Sequence, residues 1–152
     1  MAANFKDDLV RGGEWEALFQ KNYPEKLTKA PDLSHDFVME DGRKLELKSD
    51  SYLTGNLFVE RWSSLEGKLP GGPWQSLEKG VDVFCYFFVK ENFWLECRKL
   101  NQLVDKLDIL IENLPMVKVK NESWTTVGYL IEREQLWEYF DPYHLKGMKP
   151  NY

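Results

Sequence analysis

The chain of 152 residues lacks long hydrophobic runs. Its longest apolar stretch, residues 81–89, spans nine residues and contains Asp82, whereas a membrane-spanning helix needs about 20 apolar residues. The first eight residues, Met-Ala-Ala-Asn-Phe-Lys-Asp-Asp, have no apolar segment of the kind found in signal peptides. The sequence therefore predicts no membrane association and a cytoplasmic location.

Cysteine and histidine are scarce, with two residues of each type. Cys85 and Cys97 do not have Cys-x-x-Cys spacing, and each lies in an apolar, strand-like run. This pattern favours buried, reduced thiols over a disulfide or a zinc site. His35 and His144 have no nucleophile or second histidine at a useful spacing, so we interpret both as structural.

Apolar and aromatic residues are abundant, at 43% and 14% of the chain. This content, with 30% charged residues, predicts one folded domain over residues 1–152 that is large enough to bury a core. The net charge of −5 counts mildly against nucleic acid as a partner. It does not decide the matter, because a site rich in carboxylates can coexist with a basic surface elsewhere.

Hydrophobic periodicity predicts an α/β domain with a central mixed sheet and flanking helices. The core covers about residues 5–114, and a C-terminal hairpin and helix follow within residues 115–152. Predicted helices lie at 5–22 (interrupted or kinked at Gly12-Gly13), 74–79, 98–114 and 133–140. Predicted strands lie at 34–39, 43–48, 56–62, 81–89, 93–97, 116–120 and 125–131. Polar segment 24–31, Gly/Pro-rich segment 63–73 and the tail from residue 141 are expected to be irregular.

The hairpin at residues 34–48 carries most of the functional information. A three-residue loop, 40–42, with Gly42 at positive φ pairs Met39 with Arg43, Phe37 with Leu45 and Asp36 with Glu46. This register is favoured because it segregates the faces, whereas a two-residue loop mixes apolar and charged residues. The apolar face then holds Phe37, Met39, Leu45 and Leu47, and the other face holds Asp36, Lys44, Glu46 and Lys48.

Asp36, Glu46 and Lys48 thus place two carboxylates beside an ammonium group. Mg²⁺ prefers oxygen ligands at about 2.0 to 2.1 Å and keeps several waters, so two carboxylates and the Leu47 carbonyl form an open site that a phosphate can complete. Lys48 can then offset charge on the phosphate or orient a water. The spacing of these residues alone favours the alternative of a surface hairpin with ordinary cross-strand charge pairs. The position of the hairpin between a helix and a third strand makes the metal site a stronger hypothesis.

The hairpin resembles the core of the PD-(D/E)XK nuclease superfamily. Asp36 stands where the Pro-Asp half of the motif is expected, although the proline is absent, and Glu46-Leu47-Lys48 matches the E-x-K half. Gly12 and Glu16 are similar to the helix-borne glutamate motif of archaeal-type Holliday junction resolvases and their phage relatives. Residues 48–60 resemble small phage-encoded members, so the resemblance covers roughly residues 10–90.

The resemblance implies a restriction-endonuclease-like core that binds Mg²⁺, with Mn²⁺ as a substitute. Asp36, Glu46 and the Leu47 carbonyl would be metal ligands, Lys48 would be catalytic, and Glu16 would be a further ligand or catalytic carboxylate. Periodicity does not choose between Glu14 and Glu16, and a solvated helix carboxylate is an equal alternative. Glu60 on the third strand is a secondary candidate that could instead pair with a surface cation such as Lys68.

The implied activity is hydrolysis of DNA, with branched DNA such as a Holliday junction as substrate and a homodimer as the active form. A phage origin would place the protein in the host cytoplasm. A site-specific homing or restriction-type endonuclease, a non-catalytic DNA-binding module and an unrelated α/β protein are the alternatives. Lys68, Gln75 and Lys79 are candidate DNA contacts or ordinary solvated side chains, and Trp62 and Trp74 could stack on an unpaired base or belong to the core.

Overall fold

The computed structural model describes residues 5–31, 36–50 and 55–145, with side chains from Glu14 onward. The α-helices are α1 (Phe5–Asn22), α2 (Gly72–Glu78) and α3 (Leu100–Leu110). The strands are β1 (Leu27–Lys29), β2 (Phe37–Met39), β3 (Lys44–Asp50), β4 (Asn56–Ser64), β5 (Leu69–Pro70), β6 (Val83–Phe88), β7 (Phe93–Cys97), β8 (Val117–Lys120), β9 (Thr125–Glu132) and β10 (Asp141–His144).

The described strands form two sheets. The first sheet has the order β1-β2-β3-β6-β7-β10 and the second has the order β5-β4-β9-β8. β3 and β6 run parallel, and the other pairs in the first sheet are antiparallel. The chain is therefore an α/β fold with a mixed sheet and helices, as the sequence predicts.

The β2–β3 hairpin has the predicted register. Phe37 pairs with Leu45, and the N–H of Met39 donates to the carbonyl of Arg43 at 2.9 Å. Gly42 has φ +89°, the left-handed conformation that a glycine tolerates. The predicted apolar face is buried, with Phe37, Met39, Leu45 and Leu47 each at most 7% exposed.

The first sheet separates two apolar clusters because successive side chains of β6 point to opposite faces. Val83, Cys85 and Phe87 pack with Phe19 of α1. Phe84, Tyr86 and Phe88 pack with α3 and with the inner face of the second sheet, which includes Leu57, Val59 and Ile131. Every residue of β6 is buried, as its uninterrupted apolar run predicts.

Later elements mostly follow the predicted pattern. α3 ends in a 3₁₀ turn, Ile111–Asn113, before Pro115, and its apolar stripe is buried from Leu100 to Leu107 and partly buried beyond. β8 and β9 form the predicted hairpin, with Val117 opposite Gly128. Cys85 and Cys97 are free and buried. None of the helices in the described residues is long and apolar enough to cross a membrane.

Several irregular segments were predicted wrongly, because their short strands are defined by main-chain pairing with distant partners and not by an apolar period. β1 lies in the predicted polar connector and pairs with β2. In the predicted loop 63–73, β4 continues to Ser64, β5 pairs back with it, and α2 begins at Gly72. The predicted irregular tail contains β10, which pairs with β7. The helix predicted at 133–140 is present as a 3₁₀ helix, Arg133–Tyr139.

Candidate active site

The candidate site lies where the β2–β3 hairpin opens. The hairpin register, continued by one residue, pairs Asp36 with Glu46. The Asp36 carboxylate accepts a hydrogen bond from the N–H of Leu47, with a distance of 2.7 Å between Oδ2 and N. It also lies close to the side chain of Glu46, near enough to raise the pKa of that carboxyl group. The structure thus brings together the two carboxyl groups that were predicted to be metal ligands.

The environment of Glu46 favours its protonated form. Burial is the largest cause, and the charge of Asp36 and the hydrogen bond with it add to the effect. Together they raise the pKa of Glu46 to about 7 from an ordinary value of 4.5. Glu46 is therefore protonated in part of the molecules near neutral pH, and a divalent cation could replace that proton and relieve the repulsion between the two carboxyl groups.

Two lysines approach this pair. Lys48 and Lys79 both act to lower the pKa of Glu46, so both ammonium groups lie within electrostatic range of its carboxyl. Lys48 is two residues along β3 on the same face, and Lys79 follows the C-terminus of α2. Lys79, predicted as a DNA contact, is therefore close enough to act on the charge of Glu46, although it is 33 positions away in sequence (79 − 46).

The backbone of β3 orients the Leu47 carbonyl toward the same site. The carbonyls of Lys44 and Asp50 accept hydrogen bonds from Asp82 and Val89, at the two ends of β6. The carbonyl of Leu45 accepts from Asp36 on the opposite side. Because these directions alternate along a strand, the carbonyl of Leu47 points away from β6 and toward Asp36, where its N–H is already bound.

Glu16 lies near Asp36 but not within the pair. Its pKa is raised by partial burial and by the charge of Asp36, while Lys29 opposes the shift. Glu14 is exposed, so the structure selects Glu16 from the two glutamates that periodicity left open. α1 packs on the face of the first sheet opposite Glu46. Among the described residues, no group of three or more Asp, Glu, His or Cys side chains is arranged to hold a metal ion.

Glu60 approaches from the second sheet. It lines a cleft of about 550 Å³ together with Lys48, Asp50 and Tyr86. Its side chain packs against Gly71, where an added Cβ would lie 2.2 Å from Glu60 Oε2. Glycine at position 71 is therefore required for this placement of the Glu60 side chain. The alternation of residues along β4 does not by itself predict the contact between Glu60 and Gly71.

Comparison of the chain with known proteins identifies no similar protein. No protein-family model, curated protein or solved structure matches this chain. Function is therefore inferred from the site itself.

Asp50 and Tyr86 are site residues that sequence reasoning missed. Asp50 continues the alternation of Lys44, Glu46 and Lys48 along β3, so the two-residue period of the strand could have predicted that Asp50 lies on the same face. Tyr86 reaches the cleft because β6 pairs in parallel with β3 and places it opposite Lys48. Burial and the charges of Glu60 and Asp50 raise the pKa of Tyr86 well above its ordinary value.

The remaining candidates are not joined to the carboxylate pair by any contact within the described residues. Lys68 lies in the β4–β5 turn, where its N–H donates to the carbonyl of Leu65. Gln75 lies in α2 and is half-buried. Trp74 belongs to the core and donates its indole N–H to Asp108 at 2.8 Å, and Arg61 stacks on Trp62 at 4.1 Å. His35 lies outside the described residues, and the ring of His144 contacts Phe93.

Proposed function

We propose that the protein is a Mg²⁺-dependent DNA endonuclease with a restriction-endonuclease-like core that hydrolyses phosphodiester bonds. The observation that carries this proposal is the placement of the Asp36 and Glu46 carboxyl groups close together across the hairpin, with Lys48 on the same face of β3. Two acidic groups in contact and partly buried are unfavourable in isolation, and a divalent cation is the ligand that best stabilises them.

The donor set fits Mg²⁺. Asp36 and Glu46 would supply carboxylate oxygens and Leu47 a carbonyl oxygen, and this is an oxygen-only set that leaves positions for water and phosphate. When bound, the ion would polarise the scissile phosphate and make an attacking water more acidic. In the part of the chain that the structure describes, no third acidic, histidine or cysteine side chain completes the pair, so we propose an open site that water and substrate complete.

The lysines have separate roles in this proposal. Lys48 lies at the junction between the carboxylate pair and the cleft, where its ammonium group would bind the phosphate and offset the charge that develops during hydrolysis. Lys79 would contact a neighbouring phosphate while it also moderates the negative charge of Glu46. Glu16 would act through Asp36 and favour its bond to the cation.

Branched DNA, such as a Holliday junction, is the substrate class that we favour, with a homodimer as the cutting form. A domain of 152 residues has little surface to spare for reading base edges, whereas recognition of DNA shape needs mainly phosphate contacts. A homodimer supplies two sites for two strands. A homing or restriction-type enzyme of this size would need a larger assembly for sequence readout.

Cleavage assays test the proposal. Four-way junction, nicked and linear duplex DNA are incubated with the protein in Mg²⁺, Mn²⁺, Ca²⁺ or EDTA. We expect cleavage in Mg²⁺ and Mn²⁺, none in EDTA, and a loss of at least 100-fold in Lys48→Ala, on the order of the loss for a removed electrostatic group. Lys99→Ala, which removes an exposed lysine outside the site, is the matched control.

The absence of metal-dependent cleavage on every substrate contradicts the proposal. DNA binding without cleavage would instead favour a non-catalytic module, for which the absence of a three-side-chain metal group in the described residues is the supporting observation.

A further inference from the structure

The cleft beside Lys48 has an apolar wall formed by the outer face of the second sheet. Phe58 pairs with Leu130 and Glu60 with Gly128, so these four positions lie on one face of β4 and β9. Leu130 and Val119 on this wall are 50% and 45% exposed. The opposite face of the same sheet is buried in the core. The sheet therefore presents apolar surface on the side where a one-sided sheet is ordinarily polar.

Gly128 determines the shape of this wall. A Cβ at position 128 would lie 2.4 Å from Cζ of Phe58 and 2.8 Å from the carbonyl oxygen of Val59. The absence of a side chain lets the Phe58 ring lie directly against the backbone of β9. The ring thus forms a platform inside the cleft and does not project into solvent.

Tyr86 forms the polar end of the cleft. The residue is 5% exposed, and its ring packs edge-on against Phe84, with ring centroids 5.1 Å apart. The residue lines the cleft, and the charges of Glu60 and Asp50 act on its hydroxyl. A phenolic hydroxyl can both donate and accept a hydrogen bond, so it can pair with a polar ligand group in the cleft.

The combination of these features identifies the kind of ligand. The cleft is about 550 Å³, within the usual range for small-ligand sites. An apolar wall can stack against the face of an aromatic ring. Carboxylate and phenolic oxygens can accept hydrogen bonds from amino groups on the edge of that ring. Lys48 at the mouth suits a phosphate attached to that ring.

We propose that this cleft receives one unstacked, amino-bearing nucleobase of the bound strand, with its face on Phe58 and its edge toward Tyr86 and Glu60. The adjoining phosphate then lies at Lys48. The inference rests on the proposed function for the identity of the polymer as DNA. It predicts that adenine and cytosine, which carry exocyclic amino groups, bind better than thymine, which has none.

The test is fluorescence anisotropy with 15-nucleotide single strands dA15, dC15 and dT15 in Ca²⁺. We expect the wild-type protein to bind dA15 and dC15 several-fold more tightly than dT15. Phe58→Ala should weaken binding of every strand about tenfold through loss of stacking. Tyr86→Phe, which keeps the buried ring, should reduce the preference for amino-bearing bases. Ile109→Ala, on the exposed side of α3, should bind like the wild type.

Failure of this inference is distinguishable from failure of the proposed function. Mg²⁺-dependent cleavage with equal DNA affinity in Phe58→Ala and Ile109→Ala would overturn the base site and leave the endonuclease intact. Base-dependent binding without cleavage would support the site and overturn the hydrolase. Self-association that Phe58→Ala abolishes, without oligonucleotide binding, would make the wall a protein interface and overturn the base site. Thermal unfolding of each variant verifies that it is folded.

Discussion

Asp36 and Glu46 lie opposite each other across the hairpin, close enough for Asp36 to raise the pKa of Glu46. The hairpin forces this contact, because its three-residue loop sets the two residues opposite each other while the apolar face fixes the register. The N–H of Leu47 donates to Asp36 Oδ2 and holds this carboxylate in place. The fold therefore holds two acidic side chains close together, and the proposed cation would relieve their repulsion.

The pH dependence of stability should report this contact. The folded-state pKa of Glu46 is about 7, above its ordinary value of 4.5, so the folded protein binds more protons between these values than the unfolded chain does. Stability should therefore fall as pH rises from about 5 to about 8 in EDTA. Glu46→Gln should remove this loss and stabilise the protein at pH 8 by about 1 to 3 kcal/mol, with little change at pH 5. Urea unfolding at both pH values measures the difference.

Glu78→Gln is the matched control, because it removes an exposed carboxylate at the end of α2. It should leave the pH profile of the wild type unchanged. An identical pH dependence in Glu46→Gln and the wild type would contradict the proposed burial and coupling of Glu46.

The hairpin was predictable because a turn glycine and the alternation of apolar residues are both local signals. Phe37, Leu45 and Leu47 could satisfy only one register, and that register places Asp36 by Glu46. Lys79 and Tyr86 were not predictable as neighbours of Glu46 and Lys48, because parallel pairing of β3 with β6 and the position of α2 depend on contacts distant in sequence. Glu16 was distinguished from Glu14 only by the packing of α1.

Gly71→Ala should displace Glu60. The nearest atoms to the added Cβ all belong to the Glu60 side chain, at 2.2 to 2.8 Å, and φ is −123° at this position, which alanine also adopts. We expect destabilisation of about 1 to 3 kcal/mol from overpacking alone. In a Glu60→Ala background most of this loss should disappear. Thermal unfolding of the four proteins in this cycle measures the coupling; equal losses in both backgrounds would place the strain in the backbone.

The buried ion pair of Arg133 and Glu91 should be a strong stability determinant. Both side chains are at most 8% exposed, with Nη1–Oε1 and Nη2–Oε2 distances of 3.1 and 2.5 Å. The guanidinium also lies 3.7 Å from the Phe88 ring centroid. Arg133→Met should destabilise by about 3 to 5 kcal/mol, because it leaves the Glu91 charge buried without a partner.

The double variant Arg133→Met/Glu91→Gln should recover a substantial part of that loss, since no unpaired charge remains. Chemical denaturation at pH 7 compares the two. If the double variant loses as much stability as Arg133→Met and Glu91→Gln together, packing of the arginine, and not its charge pairing, stabilises this end of β9.

Under the proposed endonuclease function, Glu16→Gln should weaken the response of cleavage to Mg²⁺ without abolishing cleavage. Glu16 acts on Asp36 through its charge and lies on the opposite face of the sheet from Glu46, so it strengthens the local negative potential and does not complete the ligand pair. Loss of a supporting group of this kind typically lowers metal affinity about 10-fold or more. We therefore expect the Mg²⁺ concentration for half-maximal cleavage to rise about 10-fold, with maximal cleavage at saturating Mg²⁺ largely retained.

Glu14→Gln, two residues away and exposed, should match the wild type. Complete inactivity of Glu16→Gln at saturating Mg²⁺ would instead make Glu16 a direct ligand or catalytic group, and unchanged Mg²⁺ dependence would remove it from the site.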